Sequence, residues 1–190
     1  MGLTKSRLSE WKKGLREAFD RFLGKSFKEE DIEGNLEDVL PHKFVEWFKK
    51  ARSSIYIISG FLPPEIYLKE VEGTKPLDIL LEKAGEGVQV KILTHGDPHE
   101  ETLKYLSQRK LPAAFELRKL PFRPHLHLTL IDGGKILRLE SPHDPDKKPY
   151  PLHNKILFGA YALAPHCELQ FEMLWEEAEP LNLVLESPEE

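Results

Sequence analysis

Several things are scarce in this chain, and each scarcity excludes something. One cysteine, Cys167, stands among 190 residues, so no internal disulfide framework holds the fold, and a reducing, cytoplasmic setting suits it. Its type and isolation read as a small part-buried residue, not a nucleophile. No apolar run approaches the ~20 residues needed to cross a bilayer. The N-terminus carries Lys5, Arg7, Lys12 and Lys13, but no continuous apolar block follows them, so it does not read as a secretory signal. A basic excess is also missing. Lys and Arg number 27 against 32 Asp and Glu, for a net charge of −5, which disfavours an extended grip on duplex DNA by the whole chain. No internal repeat or low-complexity segment is found. The rest is the composition of a globular domain long enough to bury a sizeable core.

The charge that is present is unevenly placed. Acidic residues crowd Glu29 to Asp38 and Glu172 to Glu190, while Arg109, Lys110, Arg118, Lys119 and Arg123 lead into a histidine-rich stretch. Periodicity then divides the chain. Leu8, Trp11, Leu15, Ala18, Phe19 and Phe22 mark an amphipathic helix over Thr4 to Leu23, with Gly24 as its stop. An acidic connection without structural signal follows. A second helix, from Glu37 or Pro41 to Ala51, buries Phe44, Val45, Trp47 and Phe48. Strands are predicted from Ser54 to Ser59, Val88 to Leu93 and Phe115 to Leu120, with helices over Leu77 to Ala84 and Pro98 to Arg109. One more strand falls within Asn154 to Leu163, and a last helix runs from Pro165 to Ala178. Strands alternating with helices of this length imply an α/β architecture. The boundaries are 1–36 for the N-terminal helix and connection, 37–180 for the main domain and 181–190 for an acidic tail.

The candidate site lies in His125-Leu-His127-Leu-Thr129-Leu-Ile-Asp132. Strict alternation predicts a half-buried strand with His125, His127 and Thr129 on one exposed face and Leu126, Leu128 and Leu130 toward the core. Asp132-Gly133-Gly134 reads as a tight turn into a second strand, Lys135 to Leu139. Two imidazoles on one face, with a carboxylate at the strand end, suit phosphate handling or metal binding. A solvated hairpin is the plainer alternative.

With these pieces in order, the chain resembles the phospholipase D-like superfamily. Ala51-Arg-Ser-Ser-Ile-Tyr-Ile-Ile-Ser59 is similar to the family's opening A-x-x-S-I-x-I strand. Gly87-Val-Gln-Val-Lys-Ile-Leu-Thr94 follows a helix, as in the family's second strand–helix unit. The signature of His-x-Lys, four residues, then Asp reads here as His125-x-His127, four residues, Asp132. Phe171-Glu-Met-Leu-Trp175-Glu-Glu-Ala178 resembles the helix that commonly closes such domains. The resemblance spans about Leu40 to Pro180. Two departures stand out: His127 replaces the lysine, and Arg138-Leu-Glu-Ser-Pro-His143 stands where Gly-Ser-x-Asn usually follows the aspartate.

The resemblance implies a mixed β-sheet sandwiched by helices, with an added N-terminal amphipathic helix. It also implies a phosphodiesterase of nuclease or phospholipase type, acting through a histidine nucleophile without metal or organic cofactor. One signature per chain implies a homodimer around a two-fold axis. On this reading His125 is nucleophile or general acid, His127 the phosphate contact and Asp132 the orienting carboxylate. Arg123 and Thr129 bind substrate, Arg123 supplying charge that an imidazole, only partly protonated at neutral pH, does not. The alternative is a catalytically inactive module of the same fold that binds nucleic acid, a phosphorylated ligand or a protein partner.

Two further readings are weaker. His127-Leu-Thr129-Leu matches one H-h-T-h element of the 2H phosphoesterases, but no second such element occurs. His95, Asp97 and His99 follow the second predicted βα strand and could join the strand histidines around a metal, though no tight ligand-pair pattern supports this. Asp97 otherwise reads as the cap of the helix beginning at Pro98. His143 and His153 flank the Pro-rich loop and are candidates to reach the site from a partner subunit. His42 reads as a surface or capping residue, and His166 has no assigned role.

Overall fold

A computed structural model describes residues 28–31, 36–124, 127–140 and 155–181, and the structural statements below concern these. Eight strands are present: β1 (Lys28–Asp31), β2 (Ser54–Ser59), β3 (Gln89–Thr94), β4 (Phe115–Lys119), β5 (His127–Ile131), β6 (Ile136–Glu140), β7 (Lys155–Phe158) and β8 (Glu179–Pro180). They form one sheet in the order β1-β7-β6-β5-β2-β3-β4-β8. The β2–β3 and β3–β4 pairs are parallel and the others antiparallel. The helices are α1 (Leu36–Lys49), α2 (Pro64–Tyr67), α3 (Pro76–Gly85), α4 (Glu100–Ser107) and α5 (Ala164–Glu176).

Strand β2 shows why its apolar run lacks polar alternation. Ile55 and Ile57 join one core with Phe44, Trp47 and Phe48 of α1 and Leu77, Ile79 and Leu80 of α3. Tyr56 and Ile58 join another with Phe171, Leu174 and Trp175 of α5. A strand covered on both faces buries every side chain, so its sequence reads as continuous. The face of α1 predicted from spacing is the buried one: Phe44, Val45, Trp47 and Phe48 are all interior. Cys167 is interior as well, and burial pushes its thiol up to about 12, which suits a packing role.

Three elements differ from the sequence expectation. Residues 28–31, expected in an acidic connection, pair with β7 in the register Lys28↔Phe158 to Asp31↔Lys155. Lys-Glu-Glu-Asp has no apolar alternation, so ladder hydrogen bonds to a strand far along the chain place it there. Glu179–Pro180 pairs with β4 at the opposite edge for the same kind of reason. The helix expected from Pro98 begins at Glu100, with His99 as its cap. The amphipathic segment 4–23, the loop 141–151 and the tail from 182 lie outside the described residues.

Strand direction positions the site. Strand β5 runs antiparallel to both β2 and β6, and β2 runs parallel to β3. The ends of β2, β3 and β6 therefore meet the start of β5 at one edge of the sheet. His127 stands at that start.

Candidate active site

Four side chains meet at this edge. His95 immediately follows β3, and its Nε2 lies 3.3 Å from Nε2 of His127. The two rings are nearly parallel, 21° apart, with centroids 5.5 Å from each other. One nitrogen must donate while the other accepts. Oε2 of Glu140, at the end of β6, stands 3.5 Å from Nδ1 of His127, an ion-pair distance and long for a hydrogen bond. The carboxylate favours a proton on that Nδ1, which leaves Nε2 of His127 to accept from His95. Nη2 of Arg138 donates to the same Oε2 of Glu140.

The electrostatics follow from burial and charge. Burial pushes the Glu140 carboxyl up, but the contact with His127 and the charge of Arg138 more than offset this, so it lies below its ordinary value and is ionised. His95 is shifted the other way. Burial disfavours its cation most, and His127 and Arg123 add to the effect, so its pKa is lowered. The Glu140 carboxylate and the Arg138 guanidinium balance each other.

Gly60, just after β2, lies against the pair at ordinary van der Waals distance. A Cβ there would lie 3.5 Å from Nε2 of His95 and 3.9 Å from Cε1 of His127. The Gly60 carbonyl also accepts from the His95 and Gly96 amides, fixing the loop that carries His95. A cavity of about 160 Å³ opens beside His127, Glu140 and Arg138, with Leu40, Phe44, Phe61 and Ile66 among its walls. Tyr67 also lines it, its hydroxyl pushed up to about 12 by burial, against a smaller opposing pull from a hydrogen bond with Ser59.

The predicted site residues do not all converge. His125 lies outside the described residues, as do His143 and His153. The face shared with His127 is not an exposed one: Thr129 is 0% exposed, and its Oγ1 has no hydrogen-bond partner among the described residues. Helices cover both faces of the sheet, so Thr129 sits in the interior where no ligand reaches. Asp132 lies at the far end of β5, roughly 16 Å from His127 at a rise of about 3.3 Å per residue. Its Oδ1 accepts from the Ser53 and Ser54 amides at 2.8 and 3.2 Å and from the Ser53 hydroxyl at 3.0 Å, and both oxygens face the Arg52 amide. This carboxylate orients backbone, not imidazole. Burial pushes it up, but these hydrogen bonds together bring it below its ordinary value. Arg123 lies before β5, is exposed, and its charge reaches His95.

The metal reading is also redrawn. Among the described residues no group of three or more His, Cys, Asp or Glu side chains is placed to hold an ion. Asp97 instead pairs with Lys119 at 2.5 Å. The cap is His99, whose Nδ1 accepts from the Glu101 amide at 3.3 Å. Glu140 and Arg138 were not among the predicted site residues, yet hairpin counting reaches them. Moving outward from the turn pairs Ile131 with Ile136, Thr129 with Arg138 and His127 with Glu140.

No family model matches this sequence, and no curated protein does. Solved structures do resemble the fold. TrmBL2, an archaeal chromatin protein with a novel mode of DNA binding, aligns with a TM-score of 0.56 and 17% identity over 93% of this chain and 65% of its own. The phospholipase D family member Nuc from Salmonella typhimurium gives 0.54 and 14%, covering 83% of this chain and 98% of that one. NucT from Helicobacter pylori gives 0.57 and 14%, over 82% and 99%. This chain thus spans less than two thirds of the chromatin protein's length. At these identities the likeness shows the fold alone, one that the phospholipase D family member Nuc also has. No described helix is long and apolar enough to cross a membrane.

Proposed function

We propose that this protein is a histidine-based phosphodiesterase of the phospholipase D type, working at the sheet edge that carries His127. The observation that carries the reading is the paired His95 and His127, with the Glu140 carboxylate behind His127. A carboxylate behind an imidazole raises its basicity and fixes its orientation, as general acid–base chemistry requires. In this scheme His125, two residues before His127 in sequence, is the nucleophile, and the His95–His127 pair exchanges protons with the leaving group. Arg123 provides positive charge from outside the cluster. A second copy of the chain completes a dimeric site around the same edge. The fold supports the reading, and the scheme uses no cofactor.

One observation favours a second reading. Glu140 places a buried negative charge beside the imidazole that replaces the family lysine, and Arg138 is already engaged in balancing it. An arginine whose charge is spent on a neighbouring carboxylate stabilises a phosphoryl transition state poorly. This favours an inactive module that binds nucleic acid, for which the DNA-binding chromatin protein of the same fold is a precedent. Hydrolysis of bis-p-nitrophenyl phosphate in excess EDTA, from about pH 5 to about pH 9, separates the two. Turnover that resists EDTA and disappears in His125→Ala and His127→Ala is the expected result. No turnover at any of these pH values leaves the binding module.

A further inference from the structure

We propose that the cavity beside His127 binds one amino-bearing six-membered aromatic ring, of the cytosine type, and thereby selects the base attached to the phosphate. The inference rests on the phosphodiester reading above and names its substrate class.

Size decides between ring systems. The cavity measures about 160 Å³, and an apolar cavity of about 150 Å³ is enough to take up benzene. One ring fits, whereas a bicyclic purine would protrude. The walls suit a flat apolar face. Leu40 and Phe44 come from α1 and Ile66 from α2, and Phe61 stands at the mouth, 50% exposed. Phe44 is held flat by Phe48, stacked at 4.9 Å, and by Tyr67 at 5.6 Å.

Polarity decides between pyrimidines. The polar part of the lining is Glu140, Arg138, Ser59 and Tyr67 together with His127. Both contacts of Glu140 with its neighbours run through Oε2, and a carboxylate has about four acceptor positions. An exocyclic amino group finds an acceptor there, as cytosine does from Glu or Asp in DNA readout. A carbonyl at the same ring position, as in uracil, would face a negative oxygen. His127 lines the cavity and also belongs to the imidazole pair, so a base seated in the cavity delivers its phosphate to the histidines.

The test is titration of CMP, UMP and AMP against full-length His125→Ala protein, by calorimetry and saturation-transfer NMR. CMP should bind at least about five times tighter than UMP, with AMP weaker than CMP. Phe61→Ala, at a half-exposed position, should weaken CMP several-fold with the circular dichroism unchanged. Glu140→Gln should abolish the preference for CMP over UMP. If that variant unfolds, Ile66→Trp, which narrows the cavity, should exclude CMP instead. Equal affinity for the three nucleotides, preference for the purine, or indifference to Phe61→Ala overturns the proposal. CMP binding by a protein that never cleaves phosphodiesters keeps the pocket and discards the phosphodiesterase. Cleavage of bis-p-nitrophenyl phosphate without nucleotide binding keeps the enzyme and overturns the pocket.

Discussion

The two ends of strand β5 carry the two halves of one sequence signature and use them differently. At its start, His127 meets His95, with Glu140 behind it, beside an open cavity. At its end, Asp132 accepts from main-chain and hydroxyl donors of Arg52, Ser53 and Ser54, with the Lys135 ammonium 3.9 Å away. The first end has two facing imidazoles, a charge-balanced ion pair and access for a ligand. The second ties the turn after β5 to the entrance of β2, the central strand, and sets the register on which the first end depends. A linear motif can thus pair chemistry with architecture, and strand length keeps the two apart.

Substitutions sharpen this contrast, beginning with the largest effect. Asp132→Ala leaves the amides of Arg52, Ser53 and Ser54 without their acceptor and should cost about 3 kcal/mol in urea unfolding. A loss below about 0.5 kcal/mol would break the architectural assignment. The Asp132 pKa is lowered in the folded state, so its stabilisation is present above the ordinary carboxylate value of about 3.9. It is lost as pH falls through the lower folded value, and Asp132→Asn should flatten that acid limb.

Gly134→Ala should come next, at about 2 kcal/mol. Gly134 has φ +101, and an added Cβ would lie 2.7 Å from the Ala164 Cβ and 2.9 Å from the Ala160 carbonyl oxygen. Thermal unfolding of the variant checks this, and an unchanged midpoint would mean that the turn does not lock α5 against β5.

The smallest effect belongs to the histidine end. His95 has a lowered folded pKa, so it stays neutral where the unfolded chain, at about 6.5, begins to take up a proton. Stability is therefore complete above about pH 6.5 and declines as pH falls below it. His95→Gln should shrink this decline while leaving the neutral-pH urea midpoint within about 0.5 kcal/mol of the parent. An identical pH profile in parent and variant would remove His95 from the proton balance of the cluster.

Much of the scaffold was legible in the sequence because it rests on local period. The apolar stripe of α1, the buried run of β2 and the strand–turn–strand around Asp132 each repeat at helix or strand spacing. The missed pieces have no local signal. Lys28–Asp31 is a strand because β7 offers it a ladder, and Glu179–Pro180 because β4 does. Thr129 shows the limit of alternation, which gives the side of a strand but not whether a helix covers that side. Asp132 shows the limit of motif reading, since spacing along a chain does not say which groups a carboxylate will face.

Side-chain period therefore fixed the α/β order and the buried faces of α1 and β2, because it dictates which residues must leave water. Only the tertiary structure decided that His127 would meet His95 from a neighbouring strand end and Glu140 across a hairpin. It also decided that Arg138 would balance Glu140 beside a ring-sized cavity. The contact with His95 spans 32 positions, and the pairing of β5 with β2 and of β2 with β3, which no local pattern specifies, is what brings it within reach.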